Sequence, residues 1–195
     1  MSELTVIGIV TNAIQIGLKN VVSLLGAIVL WVLTAWIPYL NVGTTIGLIG
    51  LIVEMSKGNG FSPTEIFNPK YRKYMGEFFI LMGLFYLGYF VGMMFVIIPG
   101  IVIAIAWGYA PFLFLEKEGA IDPFAAIRES NEMTYGKKWT IFGGMILLAI
   151  GSEIAIFIFG LIPYLRLILV PAGMIVMMAA MMGAQAYIYS VLKKK

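Results

Sequence analysis

Few side chains in this 195-residue sequence could do chemistry, and the one that stands out is a carboxylate inside an apolar run. Glu153, in Gly151-Ser152-Glu153, lies about fourteen residues into the stretch Trp139–Ile162. At a rise of ~1.5 Å per residue, that places it ~20 Å from the start of the helix such a stretch forms. An ionisable group at that depth costs at least ~2.5–3.5 kcal/mol unless it is paired or hydrated. Arg166, just past Pro163, is the nearest cation, and a chain folding back at the proline would let the two meet. Such a pair serves ion or proton passage, or acts as counter-charge to a substrate. A structural ion pair, or a protonated glutamate bonded to a neighbouring helix, is the plainer alternative. Ser152 and Gln185 complete the intramembrane polar set, and Asn41, Thr44 and Thr45 are the few further polar groups in apolar runs.

Other chemistry finds little footing. There is no cysteine and no histidine, which removes disulfides, thiol nucleophiles and the commonest general base and metal ligand. Asp122 is the sole aspartate, and no serine sits in a nucleophile elbow. Gly58-Asn59-Gly60 and Gly143-Gly144 lack the strand and the Gly-Lys-Ser that a phosphate loop needs. Glu116, Glu118, Asp122, Glu129 and Glu132 have oxygen ligands but no metal-loop spacing, so they read as a solvated segment. Met174, Met177, Met178, Met181 and Met182 share a helical face; thioether ligation of copper is the sharp reading, gap filling or lipid contact the plain one. The opposite arc carries Ala179-x-x-x-Gly183 and Ala180-x-x-x-Ala184, spacings that let helix backbones approach closely. No enzyme, no cofactor and no metal are expected.

The elements that must position these residues follow from composition. Hydrophobic residues make up 61% of the chain and charged ones 12%, about half the charge of a soluble domain, so the excess apolar surface must face lipid. Apolar runs at roughly 21–37, 39–55, 78–98, 100–115, 139–162 and 171–192 are each near the ~20 residues that cross a bilayer core. Ile37-Pro38, Ile98-Pro99 and Ile162-Pro163 recur at a spacing of roughly 60 residues and read as tight turns between antiparallel spans. More polar segments precede each pair. Thr5, Gly8, Thr11, Asn12, Gln15 and Lys19 form a stripe, Ser62-Pro63-Thr64-Glu65 has a capping pattern, and Asp122-Pro123 starts a helix that Gly136 ends. These read as amphipathic helices in the interface plane, or as plain connectors on the bundle ends. The expected fold is an all-α polytopic membrane protein. It has about six transmembrane helices in three Ile-Pro hairpins, with a threefold internal repeat over about 1–60, 61–120 and 121–195 of a single domain. The start shows no basic and apolar leader pattern, so no cleaved signal peptide is expected.

Charge gives the orientation. Lys19, Lys57, Lys70, Arg72, Lys73, Lys117, Arg128, Lys137, Lys138 and Lys193–Lys195 fall on one side of this plan, twelve of the thirteen basic residues, with Arg166 alone near the other. Basic residues in short loops stay cytoplasmic, which predicts a cytoplasmic (inner) membrane protein with both termini inside. Trp139, Tyr187 and Tyr189 fit an aromatic belt. Lys70, Arg72, Lys73, Lys137 and Lys138 are candidate contacts for anionic headgroups, although topology alone accounts for them equally simply. A net charge of +3 is no nucleic-acid signature. The expected partners are membrane lipids, with a second copy or another membrane protein as further options.

One stretch resembles a known family. Ile98-Pro99-Gly100 leads a span through Trp107 and Pro111 to Glu116; Asp122-Pro123 then opens a helix with Ala126-x-x-x-Ser130, and Tyr135-Gly136-Lys137-Lys138-Trp139 begins the next span. This resembles the membrane domain of glycerophosphoryl diester phosphodiesterase and related small multi-pass proteins of uncharacterised function. The likeness covers about 42 of the 195 residues and is structural in kind. It implies a six-helix membrane domain and carries over no catalytic residue, because the hydrolytic chemistry of that family sits in a separate soluble domain. Two functions remain: a lipid-interacting or accessory membrane module, and a small transporter or ion or proton conduit using Glu153.

The lack of native cysteine allows a direct test of orientation. Lys137→Cys is expected to react with a membrane-impermeant maleimide from the cytoplasmic side only, and Tyr164→Cys from the opposite side only.

Overall fold

The structure, a computed structural model, describes residues 3–95 and 97–194; Lys195 of the basic set and Val96 of the third apolar run lie outside the described residues. The first helix, α1, runs unbroken over Val6–Thr34, with the Thr5 hydroxyl accepting the Gly8 N–H at 3.1 Å. The expected division into an interfacial helix and a span is therefore absent. Thr11 and Asn12 donate to the carbonyls of Ile7 and Gly8 one turn back, at 3.0 and 2.8 Å, so the polar stripe is satisfied by its own helix. With no proline inside, nothing ends the helix early.

The second helix, α2, spans Pro38–Ser56, its proline in the first turn after an extended Ile37. Then come two 3-10 turns, Pro63–Phe67 and Pro69–Tyr71, in place of an amphipathic α-helix. Two prolines six residues apart each lack an N–H, which prevents continuous α-helix here. Next are α3 (Met75–Phe95), α4 (Ile97–Trp107), α5 (Ala110–Glu116), α6 (Pro123–Thr134), α7 (Lys138–Gly160) and α8 (Arg166–Leu192). Six helical stretches are long and apolar enough to cross a membrane, with α4 and α5 together, Ile97–Glu116, making one of them. Among the described residues there is no strand.

The chain bends between α4 and α5, where Pro111 has no N–H to return to the Trp107 carbonyl. Carbonyls freed at such a break need a donor when water is absent. Ser130 of α6 supplies one: its buried hydroxyl donates to the Ala106 carbonyl at 2.7 Å. Asp122 caps α6, accepting the Phe124 and Ala125 N–H groups. Its buried face is Ala126, Ser130 and Thr134, while Phe124 and Tyr135 turn outward.

Packing is densest where side chains are smallest. A Cβ on Gly17 of α1 would fall 2.5 Å from the Ala179 carbonyl oxygen, and one on Gly183 of α8 would fall 2.3 Å from that of Ala13. The alanine and glycine arc of α8 is thus the seam against α1, with Ala179, Ala180 and Ala184 buried along it. Met174 is exposed, and Met177, Met178, Met181 and Met182 are half-buried. A second glycine face, Gly43, Gly47 and Gly50 on α2, holds the connection rather than a helix. The Arg72 stem lies over Gly43, the Ile66 backbone over Gly47 and the Tyr71 ring over Gly50, while Pro63 sits against Gly26 of α1. Residues 63–72 therefore fold back along α2. The three lead-in segments differ: a continuous helix, two 3-10 turns and the 12-residue α6.

Overpacking costs typically ~1–3 kcal/mol. Gly47→Val and Gly17→Val are expected to lower thermal stability in mild detergent by about that amount. Gly151→Ala, with nothing within 4 Å of the added carbon, is expected to be neutral or stabilising.

Candidate functional site

The structure does not gather the intramembrane polar set. Glu153 is exposed on the outside of α7, beside the exposed Ile150, Ile154 and Phe157. Arg166, the first residue of α8, is exposed near Tyr164 and Leu167, and among the described residues Glu153 and Arg166 form no ion pair. Ser152 donates to the Leu148 carbonyl of its own helix at 2.8 Å, and Gln185 is half-buried in α8.

Two apolar hollows open between helices instead. One, about 600 Å³, lies between α1, α7 and α8 and is lined by residues such as Val10, Leu147, Phe159, Gly173 and Met177, with Ser152 as its polar member. The other, about 450 Å³, lies between α4 and α7. Ile98, Ile101, Val102, Ile105 and Phe142 form its apolar wall, and Lys138 and Trp139, in the first turn of α7, close it. The Lys138 ammonium donates to the Asn131 side-chain oxygen at 3.0 Å and lies 5.8 Å from the centre of the Tyr135 ring. No carboxylate pairs with it among the described residues. On a 100° wheel Lys138, Phe142, Ile146, Ala149 and Glu153 share one flank of α7, with Glu153 ~16 Å beyond Phe142, outside the hollow and exposed.

The other headgroup candidates divide. Lys70 and Arg72 have protein partners: the exposed Lys70 meets Glu65 at 2.8 Å and Glu54 at 3.6 Å, and Arg72 donates to the Phe67 carbonyl at 3.1 Å. Lys137 lies 3.6 Å from the exposed Glu3. Lys73 is exposed, 5.0 Å from the centre of the Tyr74 ring.

The largest polar assembly lies where α2, α5 and α8 end, and the sequence alone did not single it out. Glu116 accepts from Lys193 at 2.8 Å and from the Tyr189 hydroxyl. The Lys57 ammonium lies 3.7 Å from Glu54 and 4.0 Å from Glu116, and Asn59 donates to Glu54 at 3.0 Å. Lys117 pairs with Glu129 at 2.7 Å and ties α5 to α6. The sequence signal was present: Glu54 and Glu116 both fall at the last turn of an apolar run, each with a lysine within three residues. Among the described residues no group of three or more carboxylates could hold a metal ion.

Burial alone would lower the Lys70 ammonium, but the Glu65 carboxylate at 2.8 Å outweighs it and holds it above the usual lysine range. Burial pushes the Tyr71 phenol up to about 12, against the pull of the Lys70 charge.

No family model matches the chain, no curated protein is significantly similar to it, and no solved structure matches it significantly. What the site supports rests on its own geometry.

Both raised groups favour their protonated forms in the folded state, so the stability they contribute is complete below about pH 10 and lost as pH rises beyond. Unfolding midpoints in detergent are expected to fall between about pH 10 and 12, by on the order of 1–2 kcal/mol from the phenol. Tyr71→Phe is expected to flatten that part of the fall.

Proposed function

We propose that the protein is a non-enzymatic, multi-pass module of a cytoplasmic membrane that holds an anionic phospholipid between α4 and α7, with both termini on the cytoplasmic side. The observation that carries this reading is the α4–α7 hollow, an apolar trough with an ammonium and an indole at one end. An acyl chain fits along Ile98–Ile105 and Phe142. A headgroup phosphate then meets Lys138, which lacks a carboxylate partner among the described residues, at the level where tryptophan favours the interface. A basic residue near an anionic membrane surface contributes about 1 kcal/mol.

The conduit reading draws less support. Glu153 faces outward, and the α1–α8 seam is filled by glycine and alanine backbone contacts, so one chain offers little polar lining to a path. The resemblance to the phosphodiesterase membrane domain accords with a membrane module without hydrolytic residues. The hairpin and repeat plan belongs to the same proposal: each of the pairs α1–α2, α3–α4 and α7–α8 is consecutive in the chain and in contact.

Native mass spectrometry of the full chain released from mixed vesicles tests the proposal. Wild type is expected to retain phosphatidylglycerol over phosphatidylcholine. Lys138→Gln is expected to reduce that preference about 10-fold, or roughly 1.4 kcal/mol, while leaving phosphatidylcholine retention unchanged. Equal retention of both lipids by wild type would sink the reading.

A further inference from the structure

Beside the ion-pair ladder lies a cavity of about 50 Å³, lined by Gly50, Glu54, Lys57, Lys70, Tyr71 and Glu116 among others. A water needs ~10–15 Å³ of such space, so there is room for about three or four waters or one small oxyanion.

Two donors border this space with no acceptor at hydrogen-bond distance among the described residues. Tyr71 is 5% exposed, and its hydroxyl is buried with no hydrogen-bond partner. The Lys57 ammonium has its carboxylates only at 3.7 and 4.0 Å, beyond hydrogen-bond reach. Glu54 accepts from Asn59, and Glu116 from Lys193 and Tyr189, while both carboxylates stay within ion-pair range of Lys57. A bare glycine at position 50 lets the Tyr71 ring lie against α2, since a Cβ there would fall 2.1 Å from the ring. Lys70, its ammonium 4.8 Å from the centre of the same ring, adds positive potential. An unsatisfied buried hydroxyl costs ~1–3 kcal/mol, so an occupant that accepts its hydrogen bond is favoured.

We infer that Lys57 Nζ and Tyr71 Oη together hold a small oxyanion of the phosphate class, either free or as the headgroup of a phosphomonoester lipid. Glu54, Glu116 and Glu118 line the cavity against the charges of Lys57 and Lys70, and they favour the singly charged form over the doubly charged one. The site is separate from the α4–α7 hollow and shares no residue with it.

The full chain in neutral detergent is titrated with inorganic phosphate against chloride at equal ionic strength, and thermal unfolding is followed. In parallel it is placed in nanodiscs of phosphatidylcholine with and without phosphatidic acid. Stabilisation is expected in at least one arm, with Tyr71→Phe and Lys57→Gln each weakening the apparent affinity about 10-fold and Lys19→Gln, an exposed lysine on α1 that lines neither this cavity nor the α4–α7 hollow, leaving it unchanged. A response to phosphate in detergent assigns a free anion; a response confined to phosphatidic acid assigns a headgroup. Tyr71→Phe keeps the ring and removes only the orphan hydroxyl, so its unfolding midpoint without ligand should equal or exceed that of wild type. No response in either arm, or one that both variants share undiminished, overturns the inference and leaves a water-filled cavity.

Discussion

Close approach of backbones at glycine is the constraint on which this fold depends. Between helices in lipid there is little hydrophobic force, because the acyl chains are as apolar as leucine; van der Waals contact and a few hydrogen bonds must hold the bundle. Gly17 and Gly183 bring α1 and α8 within range of each other's carbonyls, and Gly144 accepts the Ile9 side chain from α1 onto α7. The same device on α2 serves a different partner, a pair of 3-10 turns that no helix-packing rule anticipates. Glycine thus sets where the bundle is tight, and the hollows beside α7 mark where larger side chains keep neighbours apart.

Polar groups then fall into two kinds. Some repair the backbone: Ser130 answers the carbonyl freed at the α4–α5 bend, and Trp31 donates to the Thr45 hydroxyl where α1 meets α2. Others fasten helix ends to one another, with Glu116 at the centre because it receives from α8 and lies near Lys57 beyond α2. A carboxylate with several donors stays charged with little penalty, whereas Glu153, exposed on α7, has no protein donor among the described residues.

The apolar runs were legible because their length and low charge have one physical solution; proline was the weaker guide, for Pro38 opens α2 while Pro171 lies inside α8. The small arc of α8 was legible as a close-packing face, though not that α1 would fill it. The continuous α1 was missed because a polar stripe suggests an interface, while the threonine and asparagine in it bond to their own helix. Residues 57–72 were misread for a related reason: a capping pattern at Ser62 promises a helix, but Pro69 breaks it and the glycines of α2 draw the segment inward. That Glu153 and Arg166 could meet rested on sequence proximity, which fixes how near two residues can come and not which way a helix turns them. The ion-pair ladder joins residues far apart in sequence, and no local pattern reveals such meetings.

The α1–α8 seam joins helices far apart in sequence, and that has a consequence for biogenesis. While the ribosome is still at work, α1 sits in the bilayer with its Gly17 face bare until the alanine and glycine arc of α8 arrives. The seam closes only after residues 166–192 have left the exit tunnel. A nascent chain stalled before residue 166 therefore offers membrane proteases and insertion chaperones an open helix, so that packing of α1 waits on a segment made long after it.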